Sequence, residues 1–174
     1  MQNKNDDQLF VLLRKSNLDA FKTIYDRYFD QLNLFVRMQN IDADEVKDII
    51  QEVFYRLWKK RKSLFIRKSL KAYLYRMTYN CMINMQRRNS GEKPLPDNTD
   101  SIITSIDNED KLDNNIDLEM AIIRLPVKIR PVFTLKIFND LSNKVIAQTL
   151  SISIKTVESH ITQAYKILKN LFHA

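Results

Sequence analysis

The side chains of this chain best placed for chemistry point to binding rather than bond breaking. Ser153, Lys155, Thr156, Ser159, His160 and Gln163 recur at helical spacing, so they share one face over two to three turns. Short hydroxyls, an amide and cationic groups on such a face can hydrogen-bond base edges and phosphates in a DNA major groove. A second set lies upstream. Phe65, Tyr73, Tyr75 and Tyr79 are interleaved with Lys59, Lys60, Arg61, Lys62, Arg67, Lys68, Lys71, Arg76, Arg87 and Arg88. Rings beside cations suit bases drawn out of the stack, because the ring takes the base face while the cation takes the phosphate. About half of these aromatics are expected in the core, Tyr73 first among them.

Catalytic constellations are missing. The two histidines, His160 and His173, lie on or beyond the last helix with its polar face, and no carboxylate, serine or cysteine grouping has catalytic spacing. Asp42, Asp44 and Glu45 could be imagined as a nuclease metal site, but they fit the positive end of a helix more simply. The lone cysteine, Cys81, sits among Met77, Met82 and Met85 and reads as a small buried thiol. No enzyme activity, metal, cofactor or small-molecule substrate is therefore expected. The first ten residues lack the basic-then-apolar order of a signal peptide and no run of eighteen apolar residues occurs, so a soluble cytoplasmic protein is expected.

The elements that must position these groups are helices. With one glycine in 174 residues, the chain lacks the usual material for hairpin turns and phosphate-binding loops, and all-α architecture follows. Leu9, Leu12 and Leu13 form one apolar stripe, and Phe21, Ile24, Tyr25, Tyr28, Phe29 and Leu32 a second, with Asn17 as the cap between them. A third helix starts near Asp42 and runs through Ile49, Ile50, Val53, Phe54, Leu57 and Trp58; Ser69 caps a fourth. The Asp-, Asn- and Ser-rich stretch 91–117, with Pro94 and Pro96, reads as a linker. Two small helical domains, 1–90 and 118–174, are thus expected on either side of it.

Charge follows the same division. The net charge is +7, and its distribution is uneven: residues 59–91 carry ten basic and no acidic side chains, while residues 92–119 carry two basic and nine acidic. A cationic block of that kind suits a polyanionic partner. In the second unit Pro131 fits the first turn of a helix over VFTLKIF, Ser142 caps a helix with Val145, Ile146 and Ala147, and Leu150 to Ile152 makes a turn. Ser153 then caps a long helix with Ile154, Val157, Ile161, Ala164, Leu168 and Leu171 on one face. This is a helix-turn-helix, with Ala147 small enough for a close crossing and Ser151 in the turn where glycine would accept positive φ most easily.

Taken in order, DIIQEVFYRLWKKR (48–61), SLKAYLYRMTYNCMINMQRR (69–88), LPVKIRPVFTLKIFNDLS and KVIAQTLSISIKTVESHITQAYKIL resemble the extracytoplasmic-function sigma factors over about four-fifths of the chain. The resemblance implies that Asp48, Gln51, Phe54 and Trp58 dock on the clamp of core RNA polymerase. It implies that Phe65, Arg67, Lys68, Lys71, Tyr75, Arg76, Tyr79, Asn80, Arg87 and Arg88 melt and read the minus-ten element of promoter DNA. It further implies that Ser153, Lys155, Thr156, Ser159, His160 and Gln163 read the minus-thirty-five element, with Arg130 and Lys144 near phosphates. Thr78 and Tyr79 depart from the small and basic residues usual in the family at those positions. An anti-sigma protein, often membrane-bound, is the further partner implied. The competing reading is a conventional helix-turn-helix regulator, which requires a ligand-sensing or phosphoacceptor domain in the first ninety residues; that segment has no glycine and no strand-like alternation.

Overall fold

A computed structural model describes residues 4–66, 69–91, 93 and 116–172, and every regular element among them is a helix. In chain order these are α1 (Asp6–Arg14), α2 (Leu18–Arg37), α3 (Ala43–Lys60), α4 (Leu70–Asn89), α5 (Ile116–Ile123), α6 (Arg130–Ile137), α7 (Asn143–Leu150) and α8 (Ile154–Phe172). Most of the expected linker, 91–117, lies outside the described residues.

Local chemistry sets the helix starts. Asn17, Ser69 and Ser142 occupy N-cap positions, each accepting from the backbone N–H three residues on, at 2.8, 3.2 and 3.4 Å. Asp42 holds the same position before α3 without a side-chain bond, and its neighbours Asp44 and Glu45 lie in the positive first turn. The start of α1 carries a reciprocal cap that the apolar pattern had not disclosed: Asn5 accepts from Gln8 N–H while Gln8 accepts from Asn5 N–H. Asp6 then receives both Arg27, at 2.6 Å, and the Tyr28 hydroxyl, so α1 is fastened to the middle of α2.

The first unit is built around α4. Helices α2 and α3 each bury one stripe, Ala20, Ile24, Tyr28, Leu32 and Phe35 in one and Val46, Ile49, Ile50, Val53 and Leu57 in the other. By contrast, every residue from Ala72 to Thr78 of α4 is buried. A helix loses its polar face only where neighbours surround it, and α4 packs against α1, α2, α3 and α7. The Thr78 hydroxyl is satisfied by donating to the Leu74 carbonyl at 2.8 Å, so it remains in the interior without an open hydrogen bond. Cys81 is buried, as its methionine-rich surroundings predict.

The second unit packs α5, α6, α7 and α8 together, with Pro131 in the first turn of α6. It does not stand apart. One apolar core runs continuously from Leu9 through Met82 into Val132, Leu135, Val145, Ile146 and Val157, and a second gathers Met38 of the first unit with Ile122, Leu125, Phe133, Ala164 and Leu168. Among the described residues no helix is long and apolar enough to cross a membrane.

Candidate nucleic-acid interface

The helix-turn-helix is formed by α7 and α8. Between them Ser151 adopts a left-handed conformation, φ 56° and ψ 43°, and the Ile152 N–H donates to the Ala147 carbonyl at 3.0 Å to close the end of α7. Ser153 caps α8 by accepting from Thr156 N–H at 3.0 Å. Ala147 is buried at the crossing. Because a non-glycine residue is strained at positive φ, Ser151→Gly is expected to stabilise the chain by about 0.5–1 kcal/mol, the relief of strain outweighing glycine's greater unfolded-state freedom. A higher midpoint of denaturant unfolding, with DNA selectivity unchanged, is the outcome to look for.

The polar face of α8 is presented to solvent. Ser153, Lys155, Ser159 and Gln163 are exposed, and Thr156 and His160 are half-buried beside them. Gln163 donates from its amide to the Ser159 hydroxyl at 3.0 Å, and the Ser153 and Thr156 hydroxyls lie 2.8 Å apart, so both pairs are pre-positioned rather than free rotors. Lys144, at the start of α7, is exposed on the approach to the same motif. Arg130 is elsewhere. It is 7% exposed at the start of α6, its guanidinium donating to the Leu125 carbonyl and, at 2.8 Å, to the Gln39 carbonyl of the first unit. Burial lowers its pKa from the ordinary arginine value. In this arrangement Arg130 ties the two units together and does not face solvent.

The candidate single-strand surface is divided by the structure. Phe65 is 69% exposed in the loop after α3, anchored by buried Leu64. Arg67 and Lys68 lie outside the described residues. Lys71, Tyr79, Asn80 and Arg87 are half-buried along α4, and Arg88 is exposed near its end. Burial raises the pKa of the Tyr79 phenol, which keeps it a neutral donor. Tyr75 and Arg76, however, are buried, at 0% and 7% exposure. The Tyr75 ring meets Phe35 edge-on at 5.4 Å, its hydroxyl donates to the Asn139 side chain, and burial raises its pKa above the usual range. Tyr73 is buried as expected, so of the four aromatics Phe65 and Tyr79 remain reachable.

Within the first unit α2 and α3 leave an apolar groove of about 660 Å³, lined among others by Phe21, Tyr25, Phe29, Gln51, Phe54 and Trp58. Phe54 forms its floor, 4% exposed, with Tyr25 at 4.5 Å between ring centroids. Trp58 is half-buried: one side meets Phe21 at 5.1 Å and the Arg61 guanidinium lies 3.9 Å from its ring centre. Arg61 is itself held by Ser16 at 2.9 Å and by the Trp58 carbonyl at 2.7 Å. Gln51 is exposed on the rim, and Asp48 lies in an adjoining polar groove with Glu52, Arg56 and Arg88. Sequence reasoning had counted Arg61 only as one of a run of cations. Ser16 and Asn139 had escaped it entirely, since nothing local distinguishes a turn serine or asparagine that will meet a distant helix.

Comparison with known proteins places this geometry. The model of "Sigma-70 region 2" matches residues 24–92 and that of "Sigma-70, region 4" matches residues 116–168, together most of the chain. The extracytoplasmic-function (ECF) RNA polymerase sigma factor SigW of Bacillus subtilis is 28% identical over 171 residues, covering 90% of this chain and 91% of the relative. The ECF sigma-E factor of Escherichia coli K12 is 24% identical over 185 residues, covering 98% and 96%. Among solved structures, CnrH in complex with the cytosolic domain of CnrY superposes with a TM-score of 0.70 at 20% identity, covering 97% of both chains. RpoE in complex with the anti-sigma factor NepR from Bartonella quintana gives 0.66 at 21%, covering 88% of this chain and 97% of the other. With both sigma regions matched in order, and relatives aligned across nearly the whole length, this chain belongs to the extracytoplasmic-function sigma factors.

Proposed function

We propose that the chain binds core RNA polymerase and directs promoter-specific initiation of transcription. The observation that carries this reading is the pairing, in one chain, of a bundle bearing an apolar groove and a cationic, aromatic helix with a helix-turn-helix whose first turns present hydrogen-bonding groups. The groove around Gln51, Phe54 and Trp58, with Asp48 beside it, takes the polymerase. Residues 1–90 form the unit that binds polymerase and captures bases of the minus-ten element, 91–117 the acidic link, and 118–174 the unit that reads the minus-thirty-five element. Phe65, Lys71, Tyr79, Asn80, Arg87 and Arg88, with Arg67, Lys68, Tyr75 and Arg76, serve the opened strand. Ser153, Lys155, Thr156, Ser159, His160 and Gln163 serve base edges, and Lys144 and Arg130 serve phosphates.

Phosphate contacts position such a protein and base contacts select its site. Two DNA contacts on one chain bind avidly only when their spacing matches the DNA, and polymerase supplies that spacing. The chain catalyses no reaction of its own and works in the cytoplasm, where the polymerase is. An anti-sigma protein is its regulatory partner, as the anti-sigma factor NepR is of the structural neighbour RpoE. The test is transcription from a genomic DNA library by bacterial core polymerase with and without this chain. Transcripts starting downstream of a shared two-part motif only in its presence are expected. Absence of polymerase binding, with sequence-selective DNA binding retained by the helix-turn-helix, would instead establish a conventional regulator.

A further inference from the structure

We propose that Gln163 selects adenine at one position of the upstream element, and that Ser159 sets its amide for that choice. This choice of base rests on the sigma-factor reading, in which α8 enters the major groove. Of the side chains assigned to base edges, Gln163 alone carries a donor and an acceptor side by side. Serine and threonine offer a single oxygen, lysine offers only donors, and a histidine ring points its two nitrogens in diverging directions. Several of these neighbours are also committed already. Ser153 accepts from Thr156 N–H at 3.0 Å, and the two hydroxyls lie 2.8 Å apart, so both belong to the cap of α8. His160 has its Nδ1 buried, which leaves only Nε2 for DNA.

The posture of Gln163 narrows its choice further. Its side chain runs back one turn along the exposed face, where the amide nitrogen donates to the Ser159 hydroxyl oxygen at 3.0 Å. A primary amide has two N–H groups and a carbonyl oxygen. With one N–H held by Ser159, the other N–H and Oε1 have no further protein partner among the described residues. Those two groups match adenine, whose N6 amine donates and whose N7 accepts on the major-groove edge. Guanine sets two acceptors, O6 and N7, against the same pair, so Oε1 would meet a lone pair. Cytosine offers only a donor there, and thymine an acceptor and a methyl group. Because the bond to Ser159 fixes the amide in advance, less freedom is lost on binding than a loose glutamine would lose. Ser159 is thus a positioning residue for the choice of base.

The test uses core polymerase loaded with the full chain and a duplex library randomised across the upstream element, with the bound fraction sequenced. The unmodified chain should favour adenine over guanine at one position by about fivefold to a hundredfold. Gln163→Arg should move that same position to guanine, because a guanidinium presents two donors to O6 and N7. Ser159→Ala should weaken the adenine preference there several-fold, and Ser159→Thr, which keeps the hydroxyl, should restore it. A second measurement leaves the protein untouched. With 7-deazaadenine at that position, which lacks the N7 acceptor, binding should fall about fivefold for polymerase loaded with the unmodified chain and stay level for polymerase loaded with Gln163→Ala. An upstream motif indifferent to residue 163, a Gln163→Arg chain that keeps adenine, or an equal loss with the deaza base in both chains would overturn the proposal while the sigma-factor reading stands. Full adenine preference in Ser159→Ala would overturn the part given to Ser159. A library from which the loaded polymerase selects no upstream motif would overturn both readings together.

Discussion

Core polymerase is expected to lose about thirty- to a thousandfold of its affinity for a chain carrying Trp58→Ala, the range of 2–4 kcal/mol typical of an aromatic anchor in an apolar pocket. The indole forms one wall of the groove between α2 and α3, and its removal takes away a surface that no neighbour can replace. Because Trp58 also packs on Phe21, part of any loss could come from weakened folding, about half of the 3–5 kcal/mol expected for a fully buried ring. Two companions separate the effects. Gln51→Ala removes an exposed rim group and should lower affinity several-fold at unchanged stability. Arg61→Ala strips the guanidinium from the indole, a contact of about 0.5–2 kcal/mol, and frees Ser16. As Trp58 is the only tryptophan, a shift in its emission in the free Arg61→Ala chain reports the loosened ring directly. Polymerase binding by competition, with unfolding midpoints alongside, checks all three. Full affinity in a folded Trp58→Ala chain would remove the groove from the polymerase interface.

Two substitutions on α8 should fail in different ways. Gln163→Ala removes an amide held by Ser159 and should cost about 1–3 kcal/mol at the preferred promoter, that is, fivefold to over a hundredfold in upstream-element binding, while leaving other sequences nearly unaffected. Lys155→Ala should weaken preferred and scrambled duplexes alike, and reduce the slope of log affinity against log salt by about one, because one phosphate is no longer neutralised. Transcription at a series of salt concentrations on both templates distinguishes them. Equal losses on both templates for Gln163→Ala would make it a positioning residue rather than a reader.

Much of this is legible in the sequence. Caps at Asn17, Ser69, Ser142 and Ser153 lie where short polar residues precede apolar stripes, and α8 presents the polar face that its three- and four-residue spacing demanded. These are local properties: a cap needs a neighbour three residues away, and an amphipathic face needs only its own periodicity. Helix α4 is the informative exception. Its apolar stripe was readable, but Tyr75 and Arg76, which the sequence assigned to DNA, lie in the interior, since a ring with a hydroxyl or a cation on an aliphatic stem can serve either.

What decided their place is a contact between residues 64 positions apart, the Tyr75 hydroxyl with Asn139, and another spanning 91, Arg130 with the Gln39 carbonyl. No periodicity encodes such a meeting. Composition, caps and patterning alone determined that this protein is helical, where its helices begin, and which chemical classes it can bind. Only the tertiary structure decided which of the candidate groups face solvent, because burial of a polar side chain depends on whether a partner from a distant part of the chain arrives to satisfy it.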